Sequence, residues 1–218
     1  PARRDDAKNR VHALTDCSPD VLALQSILPR KGKQVLLKVS PMLDIRQVLS
    51  QLQQVTAVHV VAVQGEVKEL LFVQSAEASS AEVQLHAVNL KAEATEQFQF
   101  TLAQEQAAAV HIAEPAAGMY LYEPHAALLK AGAFKSVAEA YGLSKLHAHS
   151  HLYLSEQPVE AFPGRGFQIE AVVSLQKKAL HKAIPGGKAN ITVRNFPQTV
   201  AQLRQKTGLQ EGGDVYLF

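Results

Sequence analysis

The strongest hydrophobic patterning lies in the first third of the chain. Gln34–Val39 (QVLLKV) and Ala57–Val63 (AVHVVAV) are short, nearly continuous apolar runs, the pattern of strands covered on both faces. Between them Ile45, Val48, Leu49 and Leu52 recur at helical spacing behind Asp44, a suitable N-cap. Ahead of them Ser18-Pro19-Asp20 predicts a helix start, with serine at the N-cap and proline at the first helical position. Val21, Leu22, Leu24, Ile27 and Leu28 supply its buried face until Pro29-Arg30-Lys31-Gly32 breaks it. Lys68–Gln74 (KELLFVQ) follows the second run after only Gln64–Val67, too short a connection for a parallel crossover, so the two are expected to pair antiparallel. The order helix, strand, helix, strand, hairpin, strand predicts an α/β sheet, mostly parallel, ending in an antiparallel edge pair. It reads as the second half of a doubly wound, Rossmann-like fold.

Ala76–Ala81 (AEASSA) then reads as a linker of small residues. Val83–Leu90 and Gln97–Leu102 alternate as paired strands, and Ala103–Ala109 is a weakly apolar helix. Tyr120–Pro124 leads into a long helical pattern over His125–Tyr141, with Gly142 placed to close it. Beyond Leu143 the elements shorten. Leu152–Leu154, Phe167–Val173, Lys188–Arg194 and Asp214–Phe218 read as strands, and Gln176–Ile184 and Thr199–Thr207 as helices. The expectation is α/β over residues 1–75, a linking region over 76–143 and a small α+β domain over 144–218.

Charge follows the same division. Residues 1–75 carry net +3, residues 76–143 net −5 and residues 144–218 net +4, within a chain of net +2. Such segregation suits separate domains, one with a polyanion-facing surface. Cys17 is the only cysteine, so no internal disulfide and no cysteine-based zinc site can form. No apolar run approaches a membrane span, no leader pattern opens the sequence, and a cytoplasmic location is expected.

Several stretches are similar to a known family. Pro1-Ala2-Arg3-Arg4 resembles the tail of the Asp-Pro-Pro or Asp-Pro-Ala-Arg motif that follows the fourth strand of class I S-adenosylmethionine-dependent methyltransferases. Leu36–Asp44 (LLKVSPMLD), Tyr120–Leu143 and Pro185–Pro197 (PGGKANITVRNFP) resemble Bacteroidetes-type methyltransferase-like proteins with a ferredoxin-like segment and a C-terminal THUMP-like domain. The resemblance implies a methyltransferase acting on RNA with S-adenosylmethionine as donor, and a role near the target base for Pro1, Arg3 and Arg4. It also implies that the glycine-rich donor loop precedes Pro1. The chain is therefore expected to be the carboxy-terminal portion of such an enzyme, with no donor bound to it and self-association through the exposed half-sheet. The alternative is a non-catalytic module that binds RNA or another protein.

Candidate site residues follow from spacing. Lys178 and Lys182 are four apart on one helix, and Lys188 and Arg194 are six apart on an alternating strand, so each pair shares a face suited to phosphates. Gly186-Gly187 before Lys188 offers backbone amides to a phosphate. No aromatic residues interleave with these bases in the sequence, so backbone-directed recognition of structured RNA is expected. Lys38, inside an apolar run near Asp44, either faces a cleft or pairs with an acid. His147, His149 and His151 alternate, but surface placement is expected rather than a metal site, and Glu123-Pro124-His125 is expected to start a helix.

Overall fold

The computed structural model describes residues 13–77 and 82–218; Pro1, Arg3 and Arg4 lie outside them. In chain order the elements are α1 (Val21–Leu24), α2 (Leu28–Lys31), β1 (Gln34–Val39), α3 (Ile45–Gln51), β2 (Val55–Val63), β3 (Glu66–Ser75), β4 (Gln84–Leu90), β5 (Thr95–Thr101) and α4 (Leu102–Ala107). There follow β6 (Tyr120–Pro124), α5 (Ala126–Ala131), α6 (Ser136–Ala140), β7 (Ser144–Lys145), β8 (Tyr153–Ser155), β9 (Gly164–Gln168), α7 (Lys177–Ala183), β10 (Asn190–Ile191), α8 (Val200–Thr207) and β11 (Tyr216–Leu217). They fall into two compact units. The first takes the described residues up to Ala109 together with Pro124–Ala140; the second takes Val110–Glu123 and Tyr141–Phe218.

The first unit is built on a five-stranded sheet of order β1-β3-β2-β4-β5. Strand β3 is antiparallel to both β1 and β2, β2 runs parallel to β4, and β4 antiparallel to β5. The sheet is therefore mostly antiparallel, not mostly parallel, and β3 lies between β1 and β2, not at the edge. The short connection does force β3 back along β2, but its other edge is also needed, to hold β1. The β1 edge strand is open on one face: Leu36 is 64% exposed while Leu37 and Val39 are buried. Strands β4 and β5 continue this sheet, so it runs past the division expected at 75/76, and among the described residues its edge strands are β1 and β5.

One sheet face carries the core. Val58, Val60, Leu70, Phe72, Leu85 and Ala87 are buried on it, and α5 packs there through Ala127, Leu128 and Ala131. Two alanines bring that helix close to the strands. The helical pattern over His125–Tyr141 is interrupted: Gly132 takes a left-handed φ of 83° and closes α5. The next helix, α6, starts on a borrowed cap. Buried Glu105 of α4 accepts from the Lys135 and Ser136 backbone N–H groups at 2.9 Å each and from the Ser136 hydroxyl at 2.7 Å. At α3 the expected cap is present, Asp44 accepting from Gln47 N–H at 2.8 Å. At α1 the cap is Asp20, not Ser18, and Pro19 precedes the helix.

The second unit has a four-stranded sheet of order β7-β8-β6-β9 and a parallel pair, β10 with β11. Leu121, Leu152 and Leu154 form one cluster; Ile184, Ala189, Ile191, Leu203 and Leu209 form another beneath α7 and α8. Three strands are shorter than patterning suggests: β9 stops at Gln168, β10 spans two residues and β11 two. Alternation persists in those segments, but paired backbone does not. Among the described residues no helix is long and apolar enough to cross a membrane.

His125 illustrates how burial and capping combine. Glu123-Pro124-His125 does precede a helix, but the N-cap is His125 itself, and Pro124 ends β6. The ring Nδ1 accepts from Leu128 N–H at 3.2 Å, which assigns the ring proton to Nε2, a buried atom without a hydrogen-bond partner. Burial pushes His125 down from 6.5 to about 4. The unfolded chain therefore takes up the proton first as pH falls. The stability contributed is intact above pH 6.5 and drains away between pH 6.5 and about 4, by on the order of 2 kcal/mol. Denaturant midpoints measured against pH should fall across that window. In His125→Asn, which keeps a capping oxygen without titrating, the fall should be smaller; an unchanged pH profile would refute the assignment.

Candidate functional site

The second unit buries one carboxylate and surrounds it with arginine. Glu123, on β6, has a side chain only 6% exposed. Its Oε2 accepts from Arg165 of β9 through Nε at 3.1 Å and through Nη2, and its Oε1 accepts from Arg194 Nη2. Arg194 lies three residues beyond β10, so a single carboxylate draws together three separate stretches of chain. An isolated buried carboxylate is costly, and two charge-assisted partners offset that cost. Both arginine side chains are nearly half exposed, and Arg194 also donates from Nη1 to Val193 O at 3.0 Å.

Arg165 also joins a group of rings. Its guanidinium carbon sits 5.3 Å from the Phe167 centroid and 5.4 Å from that of Tyr216, within cation–π range. Phe167 packs against Tyr216 and Phe218 at 4.8 and 5.0 Å. These rings line a pocket of about 430 Å³ that also takes in Ile169, Val173 and Ile184. The residue between Arg165 and Phe167 is Gly166, and it has a steric reason. A Cβ there would lie 2.9 Å from Cε1 of Tyr122. That ring cannot retreat: it packs on Phe162 at 5.0 Å, and its hydroxyl accepts from Val159 N–H at 2.6 Å.

The residues singled out by spacing are distributed as follows. Lys178 and Lys182 are exposed on α7, as expected. Lys188 is exposed, but it and Arg194 do not share a strand face, because β10 covers only Asn190–Ile191 and Arg194 turns to Glu123. Gly187 N–H is already bonded to Ile184 O at 3.0 Å and is not held open for a phosphate. Lys38 pairs with Glu69 at 3.3 Å on the open sheet face. His147 and His149 lie in a turn, not on a strand, with Nδ1 of His147 accepting from His149 N–H at 3.1 Å. Sequence reasoning missed the Glu123–Arg165–Arg194 cluster and the ring group. Its only signals were the glycine-flanked Arg165 two residues before Phe167 and the Tyr216/Phe218 alternation, far apart in the chain.

Two substitutions test this geometry. Gly166→Ala should destabilise by about 1–3 kcal/mol through overpacking against Tyr122, read as a lowered denaturation midpoint; an unchanged midpoint would show that the ring gives way. Glu123→Gln should cost about 1–3 kcal/mol, because two arginines lose their counter-charge, and the loss should shrink in Arg165→Met/Glu123→Gln. A neutral Glu123→Gln would mean that solvent already compensates both arginines.

Comparison with known proteins finds two family matches in the carboxy-terminal part of the chain. Residues 120–163 match a family described as a ferredoxin-like domain, and residues 164–218 match one described as THUMP domain-like. Their common boundary at 163/164 differs from the division at 143/144 that patterning suggested. No curated protein matches the chain. Among solved structures the chain is similar to a candidate methyltransferase from Porphyromonas gingivalis W83, with 41% identity over 95% of this chain and a TM-score of 0.88. This chain spans 52% of that protein's length.

Proposed function

We propose that the chain is the RNA-delivering portion of a class I S-adenosylmethionine-dependent methyltransferase that modifies RNA. The observation that carries the reading is the 41% identity, over nearly the whole chain, to the candidate methyltransferase. The THUMP domain-like match over residues 164–218 supports RNA as the substrate, since modules of this type bind RNA. The β1–α3–β2 arrangement, with parallel β1 and β2 bridged by β3, supports reading the first sheet as the carboxyl half of a doubly wound domain.

The turn between β1 and α3 does not fit the methyl donor. A donor cradle needs glycine in a strand-to-helix turn so that the backbone can approach the ligand. The turn between β1 and α3, Ser40–Asp44, contains no glycine and closes on itself, the Ser40 hydroxyl accepting from Met42 N–H at 3.3 Å. No donor-binding residue is assigned to this chain, and S-adenosylmethionine belongs to the longer parent in this reading. Pro1, Arg3 and Arg4 keep the motif-tail role near the target base.

The chain's own contribution is to hold RNA. Lys178, Lys182 and Lys188 stand exposed in a region of net +4, while the Arg194 guanidinium is engaged by Glu123 and by the Val193 carbonyl, so the lysines carry the proposed phosphate contacts. Contacts of this kind are made to phosphates and carry little sequence information. Transfer of a methyl group requires donor and acceptor atoms to be aligned, so seating the RNA is itself catalytic work.

The test is a salt titration of structured-RNA binding, followed by fluorescence anisotropy. Binding should weaken with salt by about 0.7–0.9 log units per tenfold salt for each phosphate neutralised. The Lys178→Ala/Lys182→Ala/Lys188→Ala variant should bind more weakly across all sequences and with a flatter slope. The same affinity and slope in the variant would remove these lysines from the interface.

A further inference from the structure

We infer that the aromatic pocket of the second unit is a seat for one unpaired nucleobase. The inference deepens the RNA reading and rests on it. Tyr216 and Phe218 are two residues apart at the extended β11 segment, so they project to one side. Their planes are 24° from parallel and their centroids 6.4 Å apart. That separation is the ordinary spacing of side chains two apart on an extended segment, about 6.6 Å, so the two rings stand as neighbours on one surface rather than as the walls of a slot. Phe167, tilted at 50° and 64° to the two rings, forms the floor on which they rest. A planar ring that stacks on Tyr216 or Phe218 meets apolar surface on that face and solvent on the other.

Exposure favours an occupant. Tyr216 is 40% exposed, Phe218 37% and neighbouring Val172 60%. These exposed apolar side chains all line the same pocket, which makes it a candidate ligand seat. The surrounding charge selects the occupant. Arg165 already places a positive charge beside Phe167 and Tyr216, which disfavours a ligand cation there. Glu170 and Asp214 also line the pocket and would repel a phosphate while accepting from the exocyclic amine of a base. Helix α7, whose final residue Ala183 lines the same pocket, carries Lys178 and Lys182 for the adjoining backbone. A neutral aromatic ring on an anionic backbone meets all of these conditions. Aromatic stacking of this kind tolerates any base and is weakened when the base is paired.

The experiment uses the 218-residue chain and a short single-stranded oligoribonucleotide carrying one 2-aminopurine. The chain has no tryptophan, so probe emission is read against a dark background. Anisotropy of an end label reports total binding, and quenching of 2-aminopurine reports stacking. On the single strand, quenching should accompany binding, and it should be largely lost when the probe base is paired in a duplex. Tyr216→Ala/Phe218→Ala should abolish the quenching and weaken single-strand binding about tenfold, while duplex binding persists. Tyr216→Phe should keep both. Lys178→Ala/Lys182→Ala should weaken binding, with quenching retained in the bound fraction. If the double aromatic variant folds and quenches as the parent does, or if it alters self-association of the chain instead, the base seat is refuted while the RNA reading stands. If neither single-stranded nor duplex RNA binds, the RNA reading fails first.

Discussion

A buried carboxylate must be neutralised, and in the second unit that requirement gathers the chain. Glu123 comes from β6, Arg165 from β9 and Arg194 from beyond β10, and no two of them are near in sequence. Because Arg165 is held by its guanidinium on Glu123, its guanidinium carbon is kept within cation–π range of Phe167 and Tyr216. Because Gly166 has no Cβ, the same strand can lie against Tyr122 without displacing it. Charge, ring and backbone are thus set by one another, and the pocket inherits its shape from all three. The carboxylate lies in the ferredoxin-like range and both arginines in the THUMP-like range, so the clamp also joins the two matched segments.

The uneven distribution of charge has a related explanation. The acidic middle of the chain is not simply a solvated face. Glu105 serves as the cap of α6, Glu96 takes Asn89 at 2.8 Å as well as Lys91, and Glu123 serves two arginines. Much of that negative charge is therefore consumed inside its own unit. Several basic residues of the last third are less committed: Lys178, Lys182 and Lys188 remain exposed. Net charge counted along the sequence and charge presented to a partner are different quantities, because pairing removes one sign selectively.

Periodicity determined a good deal by itself. The strands at Gln34–Val39, Ala57–Val63, Lys68–Gln74 and Val83–Leu90, the Asp44 cap and the helices at α7 and α8 follow from local pattern, since side-chain burial at period 2 or 3.6 is a property of each segment. The tight β2–β3 return was legible for the same reason. What only the tertiary structure decided is which strands are neighbours, because several pairings bury the same apolar faces: β3 was free to stand at an edge, yet it lies between β1 and β2, and β4 joins the first sheet across a segment that looks like a linker. It also decided the fate of single polar groups. Arg194 reads in sequence as a phosphate contact and becomes the partner of Glu123, His125 reads as part of a helix start and becomes a buried cap, and Phe167, Tyr216 and Phe218 read only as strand residues and form one ring cluster. Local sequence can state that a side chain is charged, titratable or aromatic; its partner is set by contacts between residues tens of positions apart, which no local pattern encodes.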